Sequence, residues 1–167
     1  MFKMKLIFYL TVWIINSFFS GTHFFRIKRF LMNRIGFSVG AETSVVGPIS
    51  CGSVISVSIG GGCWIGKDIS LDGNGSVIIG DNVDIAPHCV LCTGGHLIGN
   101  AERRAGEGIT SKIIIEDGCW IGTNVTILNN TRIGAGSIIA AGSVVVNDVP
   151  GNSLVAGCPA VIKRKLN

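Results

Sequence analysis

The chain has three histidines, His23, His88 and His96, the side-chain type best suited to acid–base work at neutral pH. His96 closes the run Thr93-Gly94-Gly95-His96, just before residues 97–114, a stretch that is polar, charged and glycine-bearing. A neutral imidazole held at such a place can take a proton from a hydroxyl. His88 follows Pro87 in a turn, and His23 lies in an N-terminal segment of different composition. The six cysteines are Cys51, Cys63, Cys89, Cys92, Cys119 and Cys158. They contain one C-x-x-C pair, Cys89 to Cys92, whereas a zinc site needs about four suitably spaced ligands; no metal is expected. There is no G-x-S-x-G elbow, and nothing beside Cys92 would activate it as a nucleophile. The residues therefore favour direct proton transfer over a covalent intermediate.

These side chains sit on a six-residue repeat. From Val39 onward an aliphatic residue recurs at every sixth position, usually followed by a small one, as in Ile59-Gly60, Ile65-Gly66, Ile79-Gly80, Ile85-Ala86, Ile121-Gly122, Ile133-Gly134 and Ile139-Ala140. The fifth position is small or β-branched. Cys63, Cys89 and Cys119 occupy it, which makes them packing residues. Hexads group by three at 39–56, 59–76, 79–96, 115–132 and 133–150. Three hexads close one triangular coil, with the aliphatics inside and Gly, Asn and Asp at the corners; Asn82 and Asn124 are such corner residues. No coil buries its core alone, so the coils must stack. The expected fold is all-β: a parallel β-helix of hexapeptide repeats over 36–150, a C-terminal tail over 151–167, and a loop protruding at 97–114 with His96 at its base. Composition agrees. Ile and Val number 40 against nine Leu, which argues against a helical bundle. The 24 glycines come with only four prolines and no G-X-Y period, which excludes collagen, and an apolar content of 47% excludes disorder.

Residues 1–35 stand apart. They hold six basic side chains, Lys3, Lys5, Arg26, Lys28, Arg29 and Arg34, and no acid, whereas residues 36–167 carry eight basic and ten acidic groups, a net −2. The coils therefore offer no general nucleic-acid surface. The apolar run 6–19 is 14 residues long, short of the roughly 20 that span a bilayer. Phe18 stands at the −3 site relative to Ser20, which does not suit a cleaved signal. Phe24, Ile27, Leu31 and Ile35 recur at helical spacing, with Arg26, Arg29 and Arg34 off that stripe. A hydrophobic and basic helical segment is expected here. It either lies on a membrane surface or caps the open end of the coils.

The residues also carry a resemblance. The hexads, the segment IGDNVDIAPHCVLCTGGH at 79–96, the excursion after it, and EDGCWIGTNVTILNNTRIGAGSIIAAGSVVVNDVPGNSLVAGCPAVIKRKL at 116–166 resemble the hexapeptide-repeat acyltransferases over about residues 36–166. These are left-handed β-helix enzymes that work as homotrimers with acetyl-CoA. The look is nearest the maltose, galactoside and nodulation acetyltransferases and the O-acetyltransferases of surface-polysaccharide clusters. The resemblance implies an acetyl-CoA-dependent O-acetyltransferase acting on a sugar or polysaccharide precursor in the cytoplasm; the membrane-surface alternative for residues 1–35 adds peripheral contact with the inner face of the membrane and a lipid-linked saccharide as acceptor. The resemblance implies His96 as general base and Asp72, Asn74 and Trp120 as acceptor-binding residues, Trp120 walling the site of the neighbouring subunit. It places Thr123, Ala141, Gly142, Val146, Asn147, Lys163 and Arg164 along acetyl-CoA, the basic pair meeting phosphate. The chain departs from the family pattern at Gly73 and Gly75, which replace bulkier or acidic residues, and at Val161, where arginine is frequent.

Other readings keep the fold and change the chemistry. An antibiotic or serine-like acceptor is one, although the large helical domain of serine acetyltransferases is missing. A catalytically silent β-helix scaffold is another. A β-helix carbonic anhydrase would need three metal-binding histidines, which His88 and His96, eight residues apart, do not supply.

Overall fold

The computed structural model describes residues 2–52 and 55–167. Met1 of the N-terminal segment and Ser53 and Val54 of the first repeat unit lie outside the described residues.

The repeat closes into a three-sided parallel β-helix. One face, the first sheet, stacks Ser38–Val39, Ser56–Ile59, Ser76–Ile79, Lys112–Ile115 and Thr131–Ile133. The second stacks Ser44–Val45, Trp64–Ile65, Asp84–Ile85, Trp120–Ile121, Ile138–Ile139, Ser153–Gly157 and Ala160–Lys165. The third stacks Ile49–Cys51, Ile69–Asp72, Val90–Cys92, Thr126–Ile127 and Val144–Val145. In each coil the chain runs from the first sheet to the second, to the third, and back to the first. The aliphatic that opens each hexad points inward: Ile79, Ile85, Ile115, Ile121, Ile127, Ile133 and Ile139 are at most 4% exposed. Each such burial is worth roughly 1.5–3 kcal/mol, so the stacked aliphatics are the main source of stability.

The corners follow the same economy. Residues at the equivalent turn position adopt the left-handed conformation in coil after coil: Asn82, Gly118, Gly136 and Asn152 between the first and second sheets, and Asp68, His88, Asn124 and Gly142 between the second and third. Asn82 and Asn124 are thus corner residues, as expected. The small polar position behind each corner donates to a backbone carbonyl of the next coil. Cys63, Cys89 and Cys119 bond the oxygens of Gly80, Gly122 and Gly134, and Ser137 bonds that of Pro150. Burial pushes all three of these thiols up from their ordinary pKa, which suits a packing role and not a reactive one.

The excursion differs from the expected loop. Gly94–Ile98 and Ala105–Thr110 pair antiparallel as a hairpin. Residues 112–114 belong to the coil: Lys112–Ile115 pairs with Ser76–Ile79 on one side, Ile113–Ile115 pairs with Thr131–Ile133 on the other, and Ile113 is fully buried. The chain must regain the first sheet before Ile115, because Ile113 and Ile115 both fill the core at that level. Coil-to-coil offsets record the insertion. Ile59 pairs with Ile79 at 20 residues, Ile115 with Ile133 at 18, and Ile79 with Ile115 at 36. The stack also continues past residue 150. Ser153–Gly157 adds a parallel rung on Ile138–Ile139, with Ser153 and Val155 buried, and Ala160–Lys165 folds back on it antiparallel.

Two helices, α1 (Phe2–Phe18) and α2 (Phe25–Arg34), close the N-terminal end. Phe8, Val12 and Ile15 of α1 and Met32 of α2 join the core under the first coil. The apolar stripe divides: Leu31 and Ile35 are partly buried and pack against the core, and its other half turns outward. Phe24 and Ile27 are exposed, and Lys28 and Met32 are buried instead. The reason is hydrogen bonding at the end of the solenoid, where carbonyls need donors. Lys28 Nζ donates to the oxygens of Gly21 at 2.7 Å and Val46 at 3.0 Å, and Arg29 Nη1 to that of Thr43 at 2.8 Å. Asn16 serves Ile49 the same way, donating to its oxygen at 2.7 Å and accepting from its nitrogen at 3.0 Å. Outward, α1 and α2 show Leu6, Ile7, Leu10, Trp13, Phe18, Phe24 and Phe30 to solvent. Among the described residues no helix is long and apolar enough to cross a membrane.

Candidate active site

His96 stands on the first strand of the hairpin, at the corner where the third sheet returns to the first, and its side chain is exposed. Its backbone pairs with Gly108. Its Nδ1 lies 3.0 Å from the carbonyl oxygen of Gly106 across the hairpin. A carbonyl oxygen only accepts, so Nδ1 carries the proton. In the neutral ring Nε2 is then the nitrogen with the free lone pair. The hairpin therefore sets the tautomer that a general base requires.

A cleft of about 480 Å³ opens at this corner, lined by Asn74, Gly94, Gly95, His96, Gly108, Ile109 and Thr110. Asn74 reaches it from one coil below, and its Oδ1 accepts from Thr110 Oγ1 at 2.7 Å. The glycines make room. A Cβ on Gly95 would lie 2.9 Å from Nδ2 of Asn129, which belongs to the same corner one coil above. A Cβ on Gly106 would lie 2.9 Å from the oxygen of Leu97 and 3.1 Å from backbone atoms of Gly99.

The other sequence-derived candidates fall into distinct places. Asp72 closes a strand of the third sheet and accepts from Ser70 Oγ at 3.1 Å; it is not among the residues lining the His96 cleft. Trp120 projects from the second sheet and is 56% exposed. That face lies opposite the corner that carries His96, so one chain does not bring the two together. Thr123, Ala141 and Gly142 lie at the corner between the second and third sheets, and Gly142 donates its backbone N–H to the oxygen of Thr123. Val146 and Asn147 are exposed at the His96 corner, two coils above the hairpin. Lys163 and Arg164 are exposed on the edge strand of the second sheet. Among the described residues no group of three or more His, Cys, Asp or Glu side chains could hold a metal ion.

Sequence reasoning missed Thr110, Asn129 and Gly106. Thr110 and Gly106 lay inside a stretch read as an irregular loop. Asn129 follows the corner pattern and became notable only once Gly95 was placed against it.

Gly122 lies so close to the next coil that a Cβ would come within 2.6 Å of the Ala141 nitrogen, whereas the space before Gly142 is open.

The bacterial transferase hexapeptide (six repeats) family matches residues 112–147. The galactoside O-acetyltransferase of Escherichia coli K12 is 34% identical over 130 residues, which cover 78% of this chain and 64% of that protein. The chain thus spans a little under two thirds of that relative's length. The putative colanic acid biosynthesis acetyltransferase WcaF of the same organism is 28% identical over 144 residues, 84% of this chain and 76% of WcaF. The crystal structure of a hexapeptide-repeat-containing acetyltransferase from Vibrio cholerae superposes with a TM-score of 0.85 at 31% identity, covering 99% of this chain and 92% of that one. The same protein has also been solved in complex with acetyl-CoA, at 32% identity to this chain.

Proposed function

This chain belongs to the hexapeptide-repeat acetyltransferases, and we propose that it is an acetyl-CoA-dependent O-acetyltransferase acting on a hydroxyl of a sugar or saccharide precursor. The observation that carries the reading is the Nδ1 contact of His96 with the Gly106 carbonyl, which gives the neutral ring its free lone pair on Nε2, beside the cleft. Acetyl-CoA supplies the acetyl carbonyl as a thioester: its bond to the acceptor oxygen forms, its bond to sulfur breaks, and free CoA leaves. His96 Nε2 takes the proton from the acceptor hydroxyl as it attacks and returns it to the leaving sulfur, so no net proton is consumed. Asn74, its oxygen held by Thr110, offers its amide N–H groups to the acceptor.

The site is shared between subunits of a homotrimer. The candidate residues divide into two sets by position. Trp120, Thr123, Ala141, Gly142, Lys163 and Arg164 lie on the second sheet or its far corner, and His96, Val146 and Asn147 lie at the opposite corner. A three-fold arrangement that sets one chain's second sheet against the next chain's His96 corner assembles both sets three times. Acetyl-CoA then lies along the later coils, with the basic pair near its phosphates.

The helical cap suggests where the enzyme works. The exposed basic groups Lys5, Arg26 and Arg34, with no acid over residues 1–35, stand beside the exposed apolar face of α1 and α2; they suit the anionic cytoplasmic surface of a membrane and an acceptor carried on lipid. Flotation with phosphatidylglycerol vesicles at low salt checks this. The wild type should float, and the Leu10→Ser/Trp13→Ser double variant should stay below; equal behaviour of the two would contradict the placement.

The reaction itself is tested by a panel of sugars with detection of free CoA thiol. The wild type should release thiol in proportion to O-acetyl product. His96→Ala should lose about 10²–10⁴-fold in turnover while binding acetyl-CoA as before. Wild-type turnover in that variant would remove His96 from the mechanism.

A further inference from the structure

On the second sheet, two outward side chains that the reaction above does not use, Trp64 and Asp84, continue the row that begins at Trp120. Trp64 pairs in register with Asp84, and Asp84 with Trp120. All three face outward: Trp64 is 41% exposed, Trp120 56%, and Asp84 is exposed between them. Adjacent strands lie about 4.8 Å apart, so the two indoles stand about 9.6 Å apart on one flat face with a carboxylate midway. Phe25 of α2 packs against the Trp64 ring edge-to-face at a centroid distance of 6.0 Å, which fixes that indole at the end of the row nearest the helical cap.

The direction of the row matters. Every candidate acetyl-CoA residue, from Thr123 to Arg164, lies on the later coils, on the C-terminal side of Trp120. In a two-substrate site the acceptor must then come in from the N-terminal side. Along the second sheet that side is Asp84, Trp64 and Phe25. A row of indole, carboxylate and indole is chemistry for a chain of sugar rings. Indoles stack on the apolar faces of pyranoses, and a carboxylate accepts from their hydroxyls. An anionic lipid surface would not be met with Asp84 at its centre.

Resting on the sugar-acetyltransferase reading above, we infer that Trp64 and Asp84 form an outer subsite for a second and third sugar unit of the acceptor. The enzyme then prefers an oligosaccharide whose reacting end reaches His96 past Trp120 and whose remainder lies along the second sheet toward the helical cap.

The test uses the full-length protein with glucose, galactose, maltotetraose, cellotetraose and β-1,4-galactotetraose. Binding is followed by calorimetry and acetylation by free-thiol release. In the wild type at least one tetrasaccharide should bind about tenfold or more tighter than its monosaccharide, in line with one aromatic stacking contact. Trp64→Ala should abolish that difference and Asp84→Asn should reduce it, with acetyl-CoA affinity and monosaccharide turnover unchanged. Acetylation of sugars without any length preference, or a preference that survives in both variants, overturns the subsite and leaves the transferase reading standing. Length-dependent binding lost in Trp64→Ala, with no sugar acetylated, keeps the subsite and overturns the transferase reading. Absence of both overturns both. Dissociation of the oligomer by Trp64→Ala, read by light scattering, would make this face a subunit contact and also overturn the subsite.

Discussion

His96 is held by a backbone group rather than by an acid. Among the described residues its hydrogen-bond partner is the Gly106 carbonyl at 3.0 Å, a neutral acceptor that fixes the ring and its tautomer without adding charge beside it. The precision of that contact rests on Gly106, where a Cβ would press on the Leu97 oxygen and on the backbone of Gly99, neither of which can rotate away. Gly106→Ala should therefore shift the carbonyl and the imidazole with it. A misplacement near 1 Å costs about 10² in rate, so kcat should fall by about that factor while acetyl-CoA affinity holds. Steady-state kinetics on the variant checks it, and an unchanged kcat would detach the base from the carbonyl. At this scale the sequence was informative about identity and silent about geometry. His96 was marked by the run before it and the broken period after it. Its partner was not, because a backbone oxygen has no signature in side chains. Asp72 and Asn74 were equal candidates in sequence. Only the fold shows Asn74 at the cleft and Asp72 turned to Ser70.

Elements built from the strict repeat were legible, and those that end it were not. The hexads located coils and corners because an inward aliphatic every sixth residue has one closed solution. The hairpin was hidden because its strands, GGHLI and AGEGIT, show no clean alternation to flag a half-buried pair. At the N-terminal end the apolar stripe marked only part of the buried face, Leu31 and Ile35, since hydrophobicity does not register the carbonyls of Val46 and Gly21 that draw Lys28 inward. That lysine has a measurable consequence. Burial lowers its pKa from 10.5 to about 8. Between those values the unfolded chain holds more protons than the folded one, so the contribution of Lys28 to stability rises with pH across about pH 8 to 10.5. Thermal melts of the wild type and of Lys28→Met over that range should show the difference between them moving in favour of the wild type as pH rises. A constant difference would mean that Lys28 is not desolvated in the cap.

As a whole the molecule is a three-sided prism that separates its own functional parts. Parallel stacking in register keeps each hexad position on its own face or corner from coil to coil, so residues from different faces cannot converge within one chain, however many coils are added. The repeat made the prism readable. The division of site residues between opposite sides followed only when each was assigned to a sheet, Trp120 to the second and His96 to the corner between the third and first. Under the proposed function, a prism with half of the site on each of two sides takes the other half from a neighbour. The direct test is subunit complementation. His96→Ala and Trp120→Ala chains, each strongly impaired alone, are mixed in equal amounts, unfolded and refolded together. If each site takes His96 from one chain and Trp120 from the next, random trimers contain about one quarter of intact sites, and acetyl transfer should return to about that fraction of wild type. Activity no higher than the mean of the two parent variants would contradict a shared site.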